Sequence, residues 1–205
     1  MACKSEIDPP PPLPGEIPVM VLPDCHLFPG CLLPLYIFEE RYRKMLEHLL
    51  SSNRIFCIGN RTGDEENDIS PYSTAGLVRA CVRQDDGTSH LLLLGLQRIR
   101  FTGWIQHRPF PIATIEPIVS IQGDRDKTLW LKDRVLELFS QHGANASQLR
   151  DTLADSEDLE LVADVLSYHF TRCPTLQQKL LGEANVQRRF ELIIEALEKH
   201  KPSSK

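Results

Sequence analysis

The sequence predicts an α+β protein: a small closed or nearly closed β-barrel over residues 17–119, followed by a helical bundle over residues 120–200. Three observations carry this. Apolar residues between Ile17 and Val119 fall mostly in short, strand-like runs. The dipeptide Asp86-Gly87 separates two such runs as a tight hairpin turn would. Beyond Gly123 the apolar period becomes helical. A ring of strands also hides the edges that an open sheet leaves free.

The elements follow in order. Residues 1–16 hold Pro9 to Pro12, Pro14 and Gly15 with no periodic pattern, and read as a disordered, polyproline-like tail. An apolar strand from Ile17 runs into the turn Phe28-Pro29-Gly30, and a second strand spans Leu32 to Ile37. The next helix begins at Glu39 and Glu40, whose charge suits its positive N-terminal end. Tyr42, Met45, Leu46 and Leu49 share one side of it, while Arg43, Lys44 and Glu47 face water. Asn53 is expected to close it in a left-handed cap before a third strand, Arg54 to Gly59. The polar run Arg61 to Ser70, with Asp64-Glu65-Glu66, reads as a solvated loop.

Thr74 to Gln84 alternates, with Val78, Ala80 and Val82 on one face and Arg79, Cys81 and Arg83 on the other. A type I′ turn at Asp86-Gly87 would need positive φ at both residues. The return strand is Ser89 to Leu94, whose four consecutive leucines suggest burial on both faces. Arg98 to Gln106 and Ile112 to Val119 read as two further strands around the turn Arg108-Pro109-Phe110-Pro111. In the helical half, Leu131, Val135, Leu138 and Phe139 make one stripe that ends at His142-Gly143. Leu159, Val162, Ala163, Leu166 and Phe170 make a second, broadened by Leu161, Val165 and Tyr168 and capped by Ser156. That helix should sit centrally. Pro174 opens a short helix ending at Gly182, and Asn185 caps the last one, with Val186, Phe190, Ile193, Ile194 and Leu197 inward. Residues 201–205 should fray.

Composition is that of an ordinary globular chain, 41% hydrophobic and 25% charged. The net charge of −5 supplies no overall basic field to recruit nucleic acid. Residues 1–16 carry a single lysine and no apolar leader core, so the expectation is a cytoplasmic chain with reduced thiols. Cys25, His26 and Cys31 lie close together, but no second ligand pair accompanies them as structural zinc requires. Cys57, Cys81 and Cys173 stand alone, each with an apolar neighbour, and the thiols are expected to be buried or strand-facing; Cys3 lies in the tail. No metal or other cofactor is implied.

Several short stretches, taken in order, resemble the substrate-recognition (N-terminal) domain of Lon-type ATP-dependent proteases. They are Leu22-Pro23, Phe28-Pro29-Gly30, Leu33-Pro34-Leu35, Gly76-Leu77-Val78, the Asp86-Gly87 hairpin and Gly95-Leu96-Gln97-Arg98. In the helical half they are Leu161-Val162-Ala163-Asp164 and Asn185-Val186-Gln187-Arg188-Arg189-Phe190. The resemblance covers roughly residues 17 to 200. It implies that the barrel is PUA-like and that the unit engages unfolded or tagged protein segments.

Motifs for chemistry are missing from this stretch. It has no GxxxxGK[ST] phosphate cradle, no GxSxG elbow and no HExxH helix. The expected role is therefore non-catalytic: an exposed apolar patch holds a client segment. Phe28, Pro29 and Leu32 in the first loop, with Trp104, Phe110 and Pro111 near the late turn, are the candidate contacts. Glu39, Glu40 and Arg41 would form a polar rim. Expected partners are unfolded or exposed protein segments, a Lon-type protease, or a second copy. The alternative is RNA bound on a basic strand face. Arg79 and Arg83 share one face, as do Arg98 and Arg100, although few aromatics accompany them for base stacking.

Overall fold

The computed structural model describes residues 12–63, 68–106, 109–139, 144–171 and 173–199. Its strands are β1 (Glu16–Pro23), β2 (Leu32–Ile37), β3 (Ile55–Arg61), β4 (Tyr72–Arg83), β5 (Ser89–Gln106) and β6 (Ile112–Pro117). Helix α1 (Glu40–Leu50) follows β2. Past β6 come α2 (Arg125–Phe139), α3 (Ala144–Ala154), α4 (Leu159–Phe170), α5 (Pro174–Gly182) and α6 (Val186–Lys199). The six strands form one mixed sheet in the order β2-β5-β4-β3-β1-β6, and β5 also pairs β6. The pairings β1–β3–β4–β5–β6–β1 thus return to their start, with β2 added beside the first half of β5.

Three apolar clusters follow from this arrangement. Inside the ring lie Ile17, Val19, Ile55, Cys57, Ala75, Ile99 and Ala113. Outside it, α1 sets Tyr42, Met45, Leu46 and Leu49 on Met20, Phe56, Val78, Leu91 and Leu93. The Tyr42 hydroxyl fixes the helix by donating to the Val21 carbonyl at 3.1 Å and accepting from the Val21 amide at 3.0 Å. The third cluster joins α2, α4, α5 and α6 through Val135, Val162, Leu166, Leu180 and Phe190, and Phe28 and Cys31 enter it from the β1–β2 loop. Apolar stripes at helical spacing are what bring these helices together.

Several expectations need correction. The strands foreseen at Ser89 to Leu94 and Arg98 to Gln106 are one continuous β5. Gly95 does not break it, because the Phe28 carbonyl packs where a Cβ would stand and a side chain is not tolerated there. Only the odd-numbered pair of the four leucines is buried, Leu91 and Leu93. A bulge between Val78 and Ala80 breaks the alternation of β4, so Cys81 turns inward while Ala80 and Val82 face out. The hairpin at Asp86-Gly87 is not type I′, since only Gly87 has positive φ (80°). Gln84 and Thr88 close a three-residue loop, and Asp86 Oδ1 accepts from the Thr88 amide at 2.9 Å.

Smaller differences concern helix ends. After α1 the left-handed residue is Arg54, not Asn53, whose Oδ1 instead accepts from the Ile55 amide. Asp158, not Ser156, caps α4 by accepting from the Leu161 amide. Asn185 does cap α6, its Oδ1 accepting from the Arg188 amide at 3.1 Å. Helix α3 was not foreseen. Leu13 already packs against the ring's interior, so order begins before residue 17. Cys173 is exposed at the start of α5, against the expectation for the thiols. Cys3, Asp64-Glu65-Glu66, Arg108, His142-Gly143 and residues 201–205 lie outside the described residues.

Two arginines hold the strands to the helices. Arg98 on β5 is fully buried and grips Asp164 on α4 with both guanidinium nitrogens, Nη1 at 2.6 Å from Oδ2. Arg189 on α6 donates to Asp164 Oδ1 at 3.3 Å, to the Glu183 carbonyl at 2.7 Å and to the Ser120 hydroxyl at 2.8 Å. Burial pushes the Asp164 carboxyl up, while the hydrogen bonds and charge of Arg98, then the charge of Arg189, act the other way. Burial, then the like charge of Arg98, lowers Arg189 to about 10, which leaves it cationic at neutral pH. This removes the proposed basic stripe. Arg98 faces the helices rather than solvent, and the exposed Arg100 is paired with Glu116 at 2.7 Å.

Candidate functional site

Strand β2 reads Leu32-Leu33-Pro34-Leu35-Tyr36-Ile37, with no polar residue on either face. One face packs against the α1 cluster through Leu33, Leu35 and Ile37. The other faces solvent. Leu32 (46%), Tyr36 (49%) and, just past the strand, Phe38 (59%) are exposed large apolar residues.

Register extends this face across three strands. Leu32 pairs Leu94, which pairs Leu77; Pro34 pairs Leu92, which pairs Ala80; Tyr36 pairs His90, which pairs Val82. Directly opposed residues in an antiparallel pair share a face, so these nine make three parallel rows, the first of which ends at Leu77, half-buried against the cluster of Ile55 and Ala75. His90 is the only polar member. Val82 is 60% exposed because the β4 bulge turned it outward. Tyr36 stacks on His90 at 4.8 Å between ring centroids and on Phe38 at 5.8 Å. Strand spacings give a face of about 15 by 20 Å, or roughly 300 Å². Leu32, Tyr36, Phe38 and Val82 are its exposed large apolar members, while Leu77, Leu92 and Leu94 are half-buried; an apolar patch of this order is the largest on a typical monomer and is often functional.

The residues foreseen as contacts divide. Leu32 lies on the face. Phe28 is buried in the helical cluster, 6.5 Å from the Tyr168 ring, and Phe110 is buried against the α1 side with Pro111 buried beside it. Both phenylalanines are therefore withdrawn as surface contacts. Pro29 is half-buried in a clamped turn: Gly30 has φ 73° and donates to the Gly95 carbonyl, and the Gly95 amide donates to Cys31. Trp104 packs on Phe101 at 5.3 Å within the ring's cluster, ten positions along β5 from Leu94. It does not join the face. Glu39 and Arg41 pair with each other at 2.8 Å, and Glu40 pairs with Lys44 at 2.7 Å, directly after Phe38 in the chain.

Pro34, Tyr36, Phe38 and Val82 were missed. A strand apolar on both faces, with helical cover available for one, was the signal available for β2; the bulge that exposes Val82 left none.

The cysteine–histidine neighbours offer no activated nucleophile. Burial pushes the Cys25 thiol up to about 11 and the Cys31 thiol up to about 12. The His26 ring is bonded through Nε2 to Gln178 Oε1 at 3.1 Å. Among the described residues, no three His, Cys, Asp or Glu side chains gather as a metal site would need, and no helix is long and apolar enough to cross a membrane. A groove of about 300 Å³ between α2 and α6 is lined by Trp130, Arg188, Ile194 and Glu195, with Arg188 paired to Glu195.

Comparison with known proteins is consistent along the chain. Residues 16–199 match the family described as the ATP-dependent protease La (LON) substrate-binding domain. Lon protease of Dictyoglomus thermophilum is 23% identical over 192 residues, 88% of this chain and 24% of that protein. Lon protease of Desulfosudis oleivorans is 27% identical over 135 residues, 63% of this chain and 16% of that protein. The chain thus spans a quarter or less of these relatives. The N-terminal domain of Mycobacterium avium complex Lon protease superposes with a TM-score of 0.74 at 16% identity, covering 91% of this chain and all of that one. A Lon N-terminal domain protein from Xanthomonas campestris gives 0.64 at 18% identity, covering 91% of this chain and 99% of that one. The mixed fold of six strands and six helices is therefore that of Lon N-terminal domains, and the chain belongs to the Lon substrate-binding domain family.

Proposed function

We propose that this chain is a non-catalytic recognition module that binds unfolded or otherwise exposed apolar segments of protein clients. The observation that carries this is the open apolar face of β2, β5 and β4 in a member of a substrate-binding family. The strand ring is read as a PUA-like barrel over residues 17–119, and the helices of residues 120–200 as a bundle that holds it rigid. Glu39, Glu40 and Arg41 supply the polar rim beside Phe38. The setting is cytoplasmic, and the role is that of an adaptor presenting clients to a Lon-type protease.

Burying three apolar side chains gains roughly 5–9 kcal/mol, and ordering a flexible client costs about 2–5 kcal/mol. The net corresponds to dissociation constants of around micromolar to millimolar. Single-copy binding is therefore weak, and linkage of several copies would raise it. The test is fluorescence anisotropy with a labelled apolar peptide. The double variant Tyr36→Ser, Phe38→Ser should weaken binding by about tenfold, since one well-buried aromatic contact is worth at least that. Its melting temperature should change little, because both side chains are exposed. Equal affinity for the variant and the parent chain would contradict the proposal.

A further inference from the structure

The edge of β2 next to this face is closed to a further strand. The Gly95 amide donates to the Cys31 carbonyl at 2.9 Å, so the odd-numbered backbone groups of β2 point toward β5. The even-numbered groups, at Leu32, Pro34 and Tyr36, point to the free edge. Pro34 has no N–H to offer there. The Leu32 carbonyl is already taken by the Tyr168 hydroxyl of α4 at 3.1 Å. A strand added along this edge would thus lose the middle donor and one end acceptor of its ladder. The neighbouring side chains suffer no such obstruction, since Leu32, Tyr36 and Phe38 stand open to solvent.

We infer that the client is a short apolar segment held face-on by its side chains, without backbone pairing to β2. This rests on the binding role proposed above and states how that site recognises its client. The occupant is a short segment rather than a second copy, because a face of roughly 300 Å² falls well below the about 800 Å² per partner of a stable protein interface. Recognition through side chains alone ignores chain direction and backbone amides. It tolerates proline in the client, and it selects for bulk and aromaticity rather than for register. Modules that bind by strand addition depend on main-chain hydrogen bonds instead.

The experiment uses a peptide of about seven apolar and aromatic residues, long enough to span the face. Its relatives are N-methylated at alternate backbone positions, in each of the two phases, and a sequence-reversed peptide completes the set. Expected dissociation constants for all four lie within about threefold of one another, as no main-chain bond is lost. A loss of about tenfold or more confined to one N-methylated phase would overturn face-on binding. In that case the binding role itself would stand, because the parent peptide still binds. Failure of the parent peptide to bind at all would remove both. Pro34→Ala supplies a second arm: it restores the edge N–H but trims one side chain of the face, so face-on binding predicts an affinity equal to the parent's or up to about threefold weaker, and a gain of about tenfold would show that strand pairing is the productive mode.

Discussion

His26 shows how a single side chain reports on the packing between the strands and the helices. It sits buried in the loop after β1, with Nε2 against Gln178 of α5. Burial lowers its pKa below 6.5, outweighing the opposing hydrogen bonds of Gln178 and Gln177 and the charge of Asp24. The folded state therefore binds the imidazole proton less readily than the unfolded chain. The stability that neutral His26 contributes is complete above the unfolded pKa near 6.5 and is lost as pH falls from there through the lower folded value. His169, also lowered by burial, acts in the same sense. Urea denaturation at a series of pH values should show stability falling on acidification across this window, with a shallower fall in His26→Gln. An unchanged slope in that variant would remove His26 as the cause. In the sequence His26 stood out only as a neighbour of Cys25, and its contact with a residue 152 positions away could not be read there.

At the scale of elements, the motifs that carry the family resemblance turn out to build one joint. Gly95-Leu96-Gln97-Arg98 contributes the glycine beneath Phe28 and the arginine that grips Asp164. Leu161-Val162-Ala163-Asp164 contributes the acid, and the stretch from Asn185 to Phe190 contributes the α6 cap and Arg189. Asp164→Ala would leave two arginine side chains buried without their shared carboxylate, and such losses cost about 3–5 kcal/mol. Chemical denaturation should show a loss in that range. A loss under about 1 kcal/mol, typical of exposed pairs, would mean that the joint does not hold β5 to α4 and α6. Most elements were legible because their signals are local: α1, α2, α4 and α6 follow from apolar spacing, and α5 from Pro174 and Gly182 at its ends. The continuity of β5 was not, because Gly95 and the polar pair Gln97-Arg98 look like an interruption until α4 supplies the charge that permits burial. Helix α3 was hidden for a different reason, since Ala144 to Ser147 offers no large apolar residue to set a period.

For the whole molecule, the same division explains what the candidate site looks like. Two apolar clusters and a buried ionic joint give the β2–β5–β4 wing a rigid backing, and among the described residues its other face keeps Leu32, Tyr36, Phe38 and Val82 exposed. Half of the site was foreseeable, through Leu32 and the rim at Glu39 to Arg41. The rest depended on register and on a bulge, which fix exposure only after the strands have paired. The most direct test is to map a bound unfolded client onto the intact protein by amide and methyl chemical-shift perturbation. Shifts concentrated at Leu32, Tyr36, Phe38, Leu92 and Val82 are the expected result. Shifts centred on Trp130 and Ile194 in the α2–α6 groove, or none at any client concentration, would contradict the account.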